Sequence, residues 1–286
     1  IRTRVDGVLH ERVMTQRSIA PVLASRLKTM AGLDVAEVRM PQDGSFSLNV
    51  SDRELDVRLS TMPIQDGESI VMRLLDQSKG LLSLEILGMP EKLTTRFRHQ
   101  VKRPHGMVLV TGPTGSGKTT TIYAALNERN NPGEKIITVE DPVEYKLPRV
   151  NQVEINPQIG LDFNAVLRSV LRQDPDVILI GEIRDEESMD MGLRSAMTGH
   201  LVFSTLHTND AVSTVSRMIE MGGQGYLLAA TLKLVVAQRL VRRVCPHCQK
   251  KQVLEPYEQE WIDLVFKGED IVHAFLKGGG CASCEH

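Results

Sequence analysis

The sequence predicts an α/β protein: a mainly parallel, helix-covered sheet that carries a phosphate-binding loop, preceded by a smaller α+β domain. Three observations predict it. Gly112-Pro113-Thr114-Gly115-Ser116-Gly117-Lys118-Thr119 fits Gly-x-x-x-x-Gly-Lys-Thr, with an apolar run entering it and a helix-forming run leaving it. From Met107 onward, strand-like and helix-like segments alternate, as a parallel sheet with helices on both faces requires. Before that point apolar and polar residues alternate with period two, the pattern of antiparallel strands with one buried and one wet face.

In chain order, Ile1–Val5 and Val8–Val13 flank Asp6-Gly7, a strong hairpin signal. Ser18–Met30 carries Ile19, Val22, Leu23, Leu27 and Met30 at helical spacing, and Gly32 is placed to end that helix. Phe46, Leu48 and Val50 alternate with polar residues. So do Leu55, Val57 and Leu59 after a Ser51-Asp52-Arg53 turn, and then Ile70, Met72 and Leu74. Residues from Leu81 to His105 are mixed, and Lys102-Arg103-Pro104-His105-Gly106 reads as a linker. The expected domains are 1–100 and 107–286, joined by 101–106.

In the second domain, buried strands are expected at Met107–Thr111, Lys135–Glu140, Val177–Ile180 and Leu201–Leu206. Asp162 caps a helix bearing Phe163, Val166, Leu167, Val170 and Leu171. Two more helices run from Asp185 to Met197 and from Asp210 to Met221, stopping at Gly199 and Gly222. Tyr226–Val241 is interrupted by Lys233, Gln238 and Arg239, so it reads as a buried helix and falls short of the ~20 apolar residues of a membrane span. Another helix is expected around Tyr257–Val265.

The loop's glycines let successive N–H groups curl around a phosphate, and the helix after it points its positive dipole end at the same anion. Lys118 is placed to reach the β- and γ-phosphates of a nucleoside triphosphate, and the Thr119 hydroxyl to sit on Mg²⁺. The nucleotide-binding candidates run from Gly112 through Thr120. Val177–Glu182 is a hydrophobic strand ending in an acid, but Gly181 stands where an aspartate usually holds the Mg²⁺ shell. Ile137–Glu144 is a second strand ending in carboxylates. Glu182 and Glu140 are therefore both candidates to orient an attacking water, and the sequence leaves the choice open. His200 and His207 bracket a core strand. His207 falls at its C-terminal end, where ligands of open α/β sheets bind, which makes it a candidate phosphate sensor.

A net charge of −2 and an aromatic content of 4% argue against a surface built to meet nucleic acid. Cys245-x-x-Cys248 and Cys281-x-x-Cys284 suggest a metal in a reducing compartment more than disulfides. The 32 residues between the pairs exceed the ~15–20 of a ribbon, a length tolerated because closure cost grows slowly with loop size. Four thiolates make a closed shell, which speaks against a catalytic metal. The chain starts inside strand-like sequence and stops two residues after its last cysteine, so further segments are expected on both sides.

The loop 112–119, the acidic box Thr138–Glu144, the run Leu171–Asp176 leading into Gly181-Glu182-Ile183-Arg184-Asp185, and the histidine box Thr198–Asp210 resemble the type II/type IV secretion ATPase superfamily in order and spacing. Arg4–His10 and Leu59–Pro63 look like its PAS-like second N-terminal domain. Ala237-Gln238-Arg239-Leu240-Val241, followed by Cys245, looks like the GspE-like and PilB-like branch, nearest to the mannose-sensitive haemagglutinin pilus ATPases. The resemblance implies a RecA-like P-loop ATPase domain (107–286), a PAS-like α+β domain before it, and a four-cysteine zinc element at 245–284. It implies ATP, Mg²⁺ and Zn²⁺ as cofactors and a homohexamer on the cytoplasmic face of the bacterial inner membrane. That assembly would move a PilC/GspF-like platform protein with a cytoplasmic adaptor, with no nucleic-acid partner and no membrane span of its own.

Residue by residue, the resemblance makes Lys118 and Thr119 phosphate and Mg²⁺ ligands, Glu182 the Walker B glutamate and Glu140 the acidic-box carboxylate. It makes His207, and more weakly His200, sensors of the γ-phosphate. Arg58 and Arg73 become arginine fingers that reach the phosphates when the two domains rotate about the linker; Arg217 and Arg239 are weaker candidates for the same region. Cys245, Cys248, Cys281 and Cys284 become zinc ligands. A nucleic-acid motor on the same P-loop sheet is the alternative, and pilus assembly is not distinguished from type II secretion.

Overall fold

A computed structural model describes residues 1–5, 8–13, 16–51, 53–76, 82–266 and 275–284. Strands β1 (Arg2–Val5) and β2 (Val8–Glu11) pair antiparallel with Val5 opposite Val8, as a two-residue connection dictates. The Asp6-Gly7 turn lies outside the described residues, as do Asp52 and Leu81. Helix α1 (Ala20–Met30) follows a single 3₁₀ turn, and Gly32 ends it at φ 68°. Strands β3 (Gln42–Val50), β4 (Arg53–Ile64) and β5 (Gly67–Asp76) form an antiparallel sheet in that order. Cross-strand register puts Phe46, Val57 and Leu74 on one face and Ser45, Arg58 and Arg73 on the other.

Two burial expectations fail in this region. Ile19, Val22 and Leu23 of the α1 segment are exposed, and Ala24 and Lys28 are buried instead. Lys28 tolerates burial because its ammonium pairs with Glu68 and donates to the Glu37 carbonyl at 2.8 Å. Met72 and Leu74 share a face with Leu59 and Val57 yet stay exposed. Strand β5 is an edge strand, and α1 packs toward the Gly44 and Glu68 end of the sheet.

Residues from Leu84 onward belong to another core. Helix α2 (Glu91–Val101) places Phe97 and Val101 in a cluster with Val108, Val110, Ile122 and Phe203, and Arg98 pairs with Glu128. The expected boundary at 101–106 is therefore no break in packing, because α2 already rests on the sheet that follows it.

That sheet is built from β6 (Gly106–Thr111), α3 (Lys118–Arg129), β7 (Ile136–Glu140), β8 (Asn151–Glu154), α4 (Phe163–Val170), β9 (Val177–Ile180), α5 (Glu186–Met197), β10 (Leu201–Leu206), α6 (Ala211–Glu220), α7 (Gly225–Thr231) and β11 (Leu232–Ala237). Its six strands are parallel, in the order β11-β6-β10-β9-β7-β8. Strands β6, β7, β9 and β10 are buried throughout, as their continuous apolar runs require. Met107 and Leu109 face one helical layer with Leu193 and Met218, while Val108 and Val110 face the other with Ile122 and Phe97. Asp162, Asp185 and Asp210 cap α4, α5 and α6 as expected, accepting from the Ala165, Ser188 and Ser213 amides.

The helix expected over Tyr226–Val241 is instead α7 followed by β11, which adds to the sheet beside β6. Leu232–Ala237 carries the β-branched pair Val235 and Val236, and β6 offers it an open ladder. Strand β8, with the polar sequence Asn-Gln-Val-Glu, carries too little apolar signal to be anticipated. Among the described residues no helix is long and apolar enough to cross a membrane.

Residues Ile1–Gln238 form one compact unit and Arg239–His286 a second, so the expected 107–286 domain divides after Gln238. In the second unit, β12 (Gln249–Lys251) pairs antiparallel with β13 (Leu276–Gly278). Between them in sequence, α8 (Pro256–Val265) starts from a capping box of Glu255 and Glu258.

Candidate functional site

Parallel strands end together on one edge, and that edge gathers the phosphate loop, the acidic box, Glu182 and His207. Gly117 caps α3 at φ 83° and Gly112 stands at φ 150°, left-handed conformations that residues without a Cβ adopt at low cost and that curl the loop around its mouth. The Lys118 ammonium lies buried against the loop, donating to the Gly112 and Pro113 carbonyls at 2.9 and 3.1 Å. Gln238 braces the loop from β11. Its amide donates to the Ser116 carbonyl at 2.8 Å, its oxygen accepts the Thr121 hydroxyl at 2.7 Å, and its backbone N–H reaches the Thr111 carbonyl at 2.8 Å. Thr111 also donates to the Leu206 carbonyl and accepts the Thr208 N–H, both at 3.0 Å, which ties the histidine box to the loop.

A cleft of about 650 Å³ is lined by Thr114–Thr120, Glu140, Asp141, Glu144, Gly181, Glu182, Thr205, His207 and Arg73, among others. The two carboxylates in it differ in surroundings. Glu182 retains 22% side-chain exposure. Its Oε2 lies 3.3 Å from His207 Nε2, and Arg184 pairs with its other oxygen while donating to Asp141 at 3.1 Å. Glu140 is 3% exposed and accepts from the Tyr123 hydroxyl, the Thr138 hydroxyl at 2.5 Å and the Gln152 amide at 3.3 Å. Burial pushes the Glu140 carboxyl above its ordinary pKa although those hydrogen bonds pull it down, and burial likewise raises the Tyr145 phenol to about 12.

Gly181 has a steric reason. A Cβ there would lie 3.1 Å from the Val139 carbonyl and 3.3 Å from Glu140 Cα, so the neighbouring strand occupies the space a larger residue needs. Partial burial, helped by the Lys118 and Arg184 charges, pushes His207 below the usual imidazole pKa. The ring is therefore neutral near pH 7, and the tautomer protonated on Nε2 donates to Glu182.

Strand β10 separates the two histidines. His200 sits at its opposite end from His207, with Nδ1 2.9 Å from the Ser195 carbonyl and 3.3 Å from the Thr198 hydroxyl. Six strand residues span about 20 Å, so His200 sits against the end of α5, away from the edge that carries the phosphate loop. Arg73 lines the cleft, and Arg58 donates to the Val143 carbonyl at 2.7 Å with Glu144 3.8 Å away. Both arginines therefore lie at this edge of the sheet. Arg217 pairs with Glu220 on the exposed side of α6, and Arg239 falls in the second unit. Sequence reasoning assigned no role to Tyr123, Arg184 or Gln238. The polar Gln238 interrupting an apolar run was the one local sign.

In the second unit the Sγ atoms of Cys245, Cys248, Cys281 and Cys284 lie within 4.8 Å of one another, with separations of 3.9, 3.8 and 3.7 Å for 245–281, 248–284 and 281–284. These distances are too long for disulfides and match the ~3.8 Å between sulfurs bound tetrahedrally to one Zn²⁺ at about 2.3 Å.

Compared with known proteins, the chain matches the family described as Type II/IV secretion system protein over residues 1–286. It is 47% identical over 286 residues to Type II secretion system protein E of Dickeya dadantii (strain 3937), covering all of this chain and 56% of that protein. The Type II secretion system ATPase E of Vibrio cholerae serotype O1 is similar to the same degree, at 47% over 286 residues with the same shares. The chain thus spans little more than half the length of these relatives. Among solved structures it is similar to the pilus retraction motor PilT with bound ADP, at TM-score 0.65 and 31% identity over 84% of this chain and 71% of that one. The Legionella pneumophila ATPase DotB shares the fold, at TM-score 0.69 and 24% identity over 84% and 71%.

Proposed function

The chain belongs to the Type II/IV secretion system protein family, and we propose that it is the motor part of an ATPase that drives type II secretion or type IV pilus assembly. The observation that carries this reading is the convergence of Lys118, Glu182, His207 and Arg73 on one cleft at the mouth of the phosphate loop. In this reading ATP enters with its β- and γ-phosphates over the Gly112–Thr120 backbone. Lys118 exchanges its carbonyl partners for phosphate oxygens. The Thr119 hydroxyl would hold Mg²⁺, which when bound would neutralise charge on those oxygens.

Glu182 orients the attacking water and takes its proton as the water oxygen bonds to the γ-phosphorus and the bond to the bridging oxygen breaks, giving ADP and phosphate. Glu182 suits this work better than Glu140, whose oxygens are already engaged by three side-chain donors. A neutral His207 hydrogen-bonded to Glu182 reads the presence of the γ-phosphate next to it. Arg73 supplies positive charge as negative charge develops on the transferring group, and Arg58 holds the acidic-box loop.

We read the sheet domain as RecA-like and the β3–β5 layer with α1 as PAS-like. Zn²⁺ on Cys245, Cys248, Cys281 and Cys284 supplies folding energy to the C-terminal unit. The working form is a homohexamer held at the cytoplasmic face of the inner membrane by a platform protein and an adaptor. Lys118→Ala tests the core of the proposal: ATP hydrolysis by the purified protein should disappear with it. Normal turnover in that variant would place the chemistry elsewhere.

A further inference from the structure

Tyr123 lies fully buried on α3, the helix that begins at Lys118. Its hydroxyl donates to Glu140 Oε2, and its oxygen accepts the Glu144 N–H and the Gln152 amide, each at 3.4 Å. Gln152 closes the network. Besides Glu140, it donates to the Tyr145 carbonyl at 3.2 Å and accepts the Leu147 N–H at 2.7 Å. The Tyr123 ring meets the Tyr145 ring edge-on, with centroids 4.6 Å apart. The segment held this way, 141–147, is the one that receives Arg58 from the three-stranded sheet, through the Val143 carbonyl and Glu144. One buried hydroxyl therefore joins the helix of the phosphate loop, the strand end bearing Glu140 and the loop that grips the N-terminal sheet.

A phenol buried only for its ring would need no such network. A buried hydroxyl must be satisfied, but a phenylalanine would fill the same volume without that demand. We propose that Tyr123 is a positioning residue, orienting the Glu140 carboxylate and pinning the 141–147 loop so that the setting of α3 is passed to Arg58 and the sheet that carries it. The geometry stands apart from the catalytic reading above; the effect expected on turnover rests on that reading. Glu140 is faced by Tyr123 from α3, by Glu144 and Tyr145 from the loop, by Gln152 and Glu154 on β8, and by the Gly181–Glu182 end of β9. Of these groups, Tyr123 and Gln152 bond the charged carboxylate and favour it, while burial and Glu144 oppose it.

Tyr123→Phe separates these roles. Hydrogen exchange at the Glu144 and Leu147 amides should quicken by about tenfold or more, while β6 and β10 keep their protection. This readout needs no hydrolysis, so it decides the positioning role even if the wild-type protein fails to turn over ATP, a result that would sink the proposed function instead. With an active wild type, kcat should fall by about tenfold at a KM within about threefold of wild type. The acid limb of kcat should move to higher pH, because Glu140 loses a donor that favours its charged form. Unchanged exchange across 143–147 would overturn the proposal. So would a lower Tm accompanied by unaltered kcat and an unmoved acid limb, the signature of packing alone. Should Tyr123→Phe fold poorly, Gln152→Ala removes the other clamp and must loosen the same loop.

Discussion

Strand β7 ends in Glu140 and its neighbour β9 is followed two residues on by Glu182, yet the two carboxylates at this edge are built in opposite ways. Glu140 is sealed in and satisfied by Tyr123, Thr138 and Gln152, whereas Glu182 opens to the cleft and leans on His207 and Arg184. Identical side chains one strand apart thus differ in surroundings, and the proposed division of work between them rests on that difference. Glu140 is held by Tyr123 and Thr138, donors that are themselves buried, whereas the partners of Glu182, His207 and Arg184, are both more than half exposed.

The largest effect should come from Glu182→Gln. Turnover should drop by roughly 10²–10⁴-fold, while a fluorescent ATP analogue binds within about threefold of wild type. A variant that still turns over normally would erase the distinction between the two ends. Glu140→Gln should slow turnover less, by about tenfold, and it sharpens the comparison through stability. Burial raises Glu140 above its ordinary 4.5, so the stability linked to its protonated form is present below pH 4.5 and lost as pH rises through the folded pKa. Glutamine does not titrate, so the Tm of the variant relative to wild type should climb from pH 4.5 toward pH 7. A flat or falling difference in thermal melts would mean Glu140 is not held as described.

Gln238→Ala removes the brace behind the phosphate loop. ATP affinity, measured by calorimetry, should weaken by about fivefold, the equivalent of one hydrogen bond of about 1 kcal/mol. The smallest effect at the cleft should follow metal chelation. A strong chelator should lower the melting of the Arg239–His286 unit, with ATP affinity at the Gly112–Thr120 loop unchanged within error. Loss of ATP binding on zinc removal alone would show that the cysteine centre serves the nucleotide site directly.

Much of this was legible in the sequence because it depends on local rules. The loop glycines, the caps at Asp162, Asp185 and Asp210, and the continuous apolar strands each carry their cause within a few residues. Misjudged parts depended on neighbours distant in the chain. Leu232–Ala237 became a strand because β6 had an unpaired edge to offer, and Ile19, Val22 and Leu23 stayed exposed because the sheet buried Ala24 and Lys28. The contacts of His200 with Ser195 and of His207 with Glu182, at opposite ends of β10, were likewise set by residues outside the strand.

By itself, then, the sequence determined the phosphate loop, the buried strands of a mainly parallel sheet and the two Cys-x-x-Cys knuckles, since backbone conformation, side-chain period and ligand type are properties of adjacent residues. Only the tertiary structure decided which glutamate is sealed in and which opens to the cleft, why Gly181 is small, and where Tyr123, Arg184 and Gln238 lie. Hydrogen-bond partners and steric room are set across strands, between residues the chain holds far apart and the fold brings within 3 Å or so of each other.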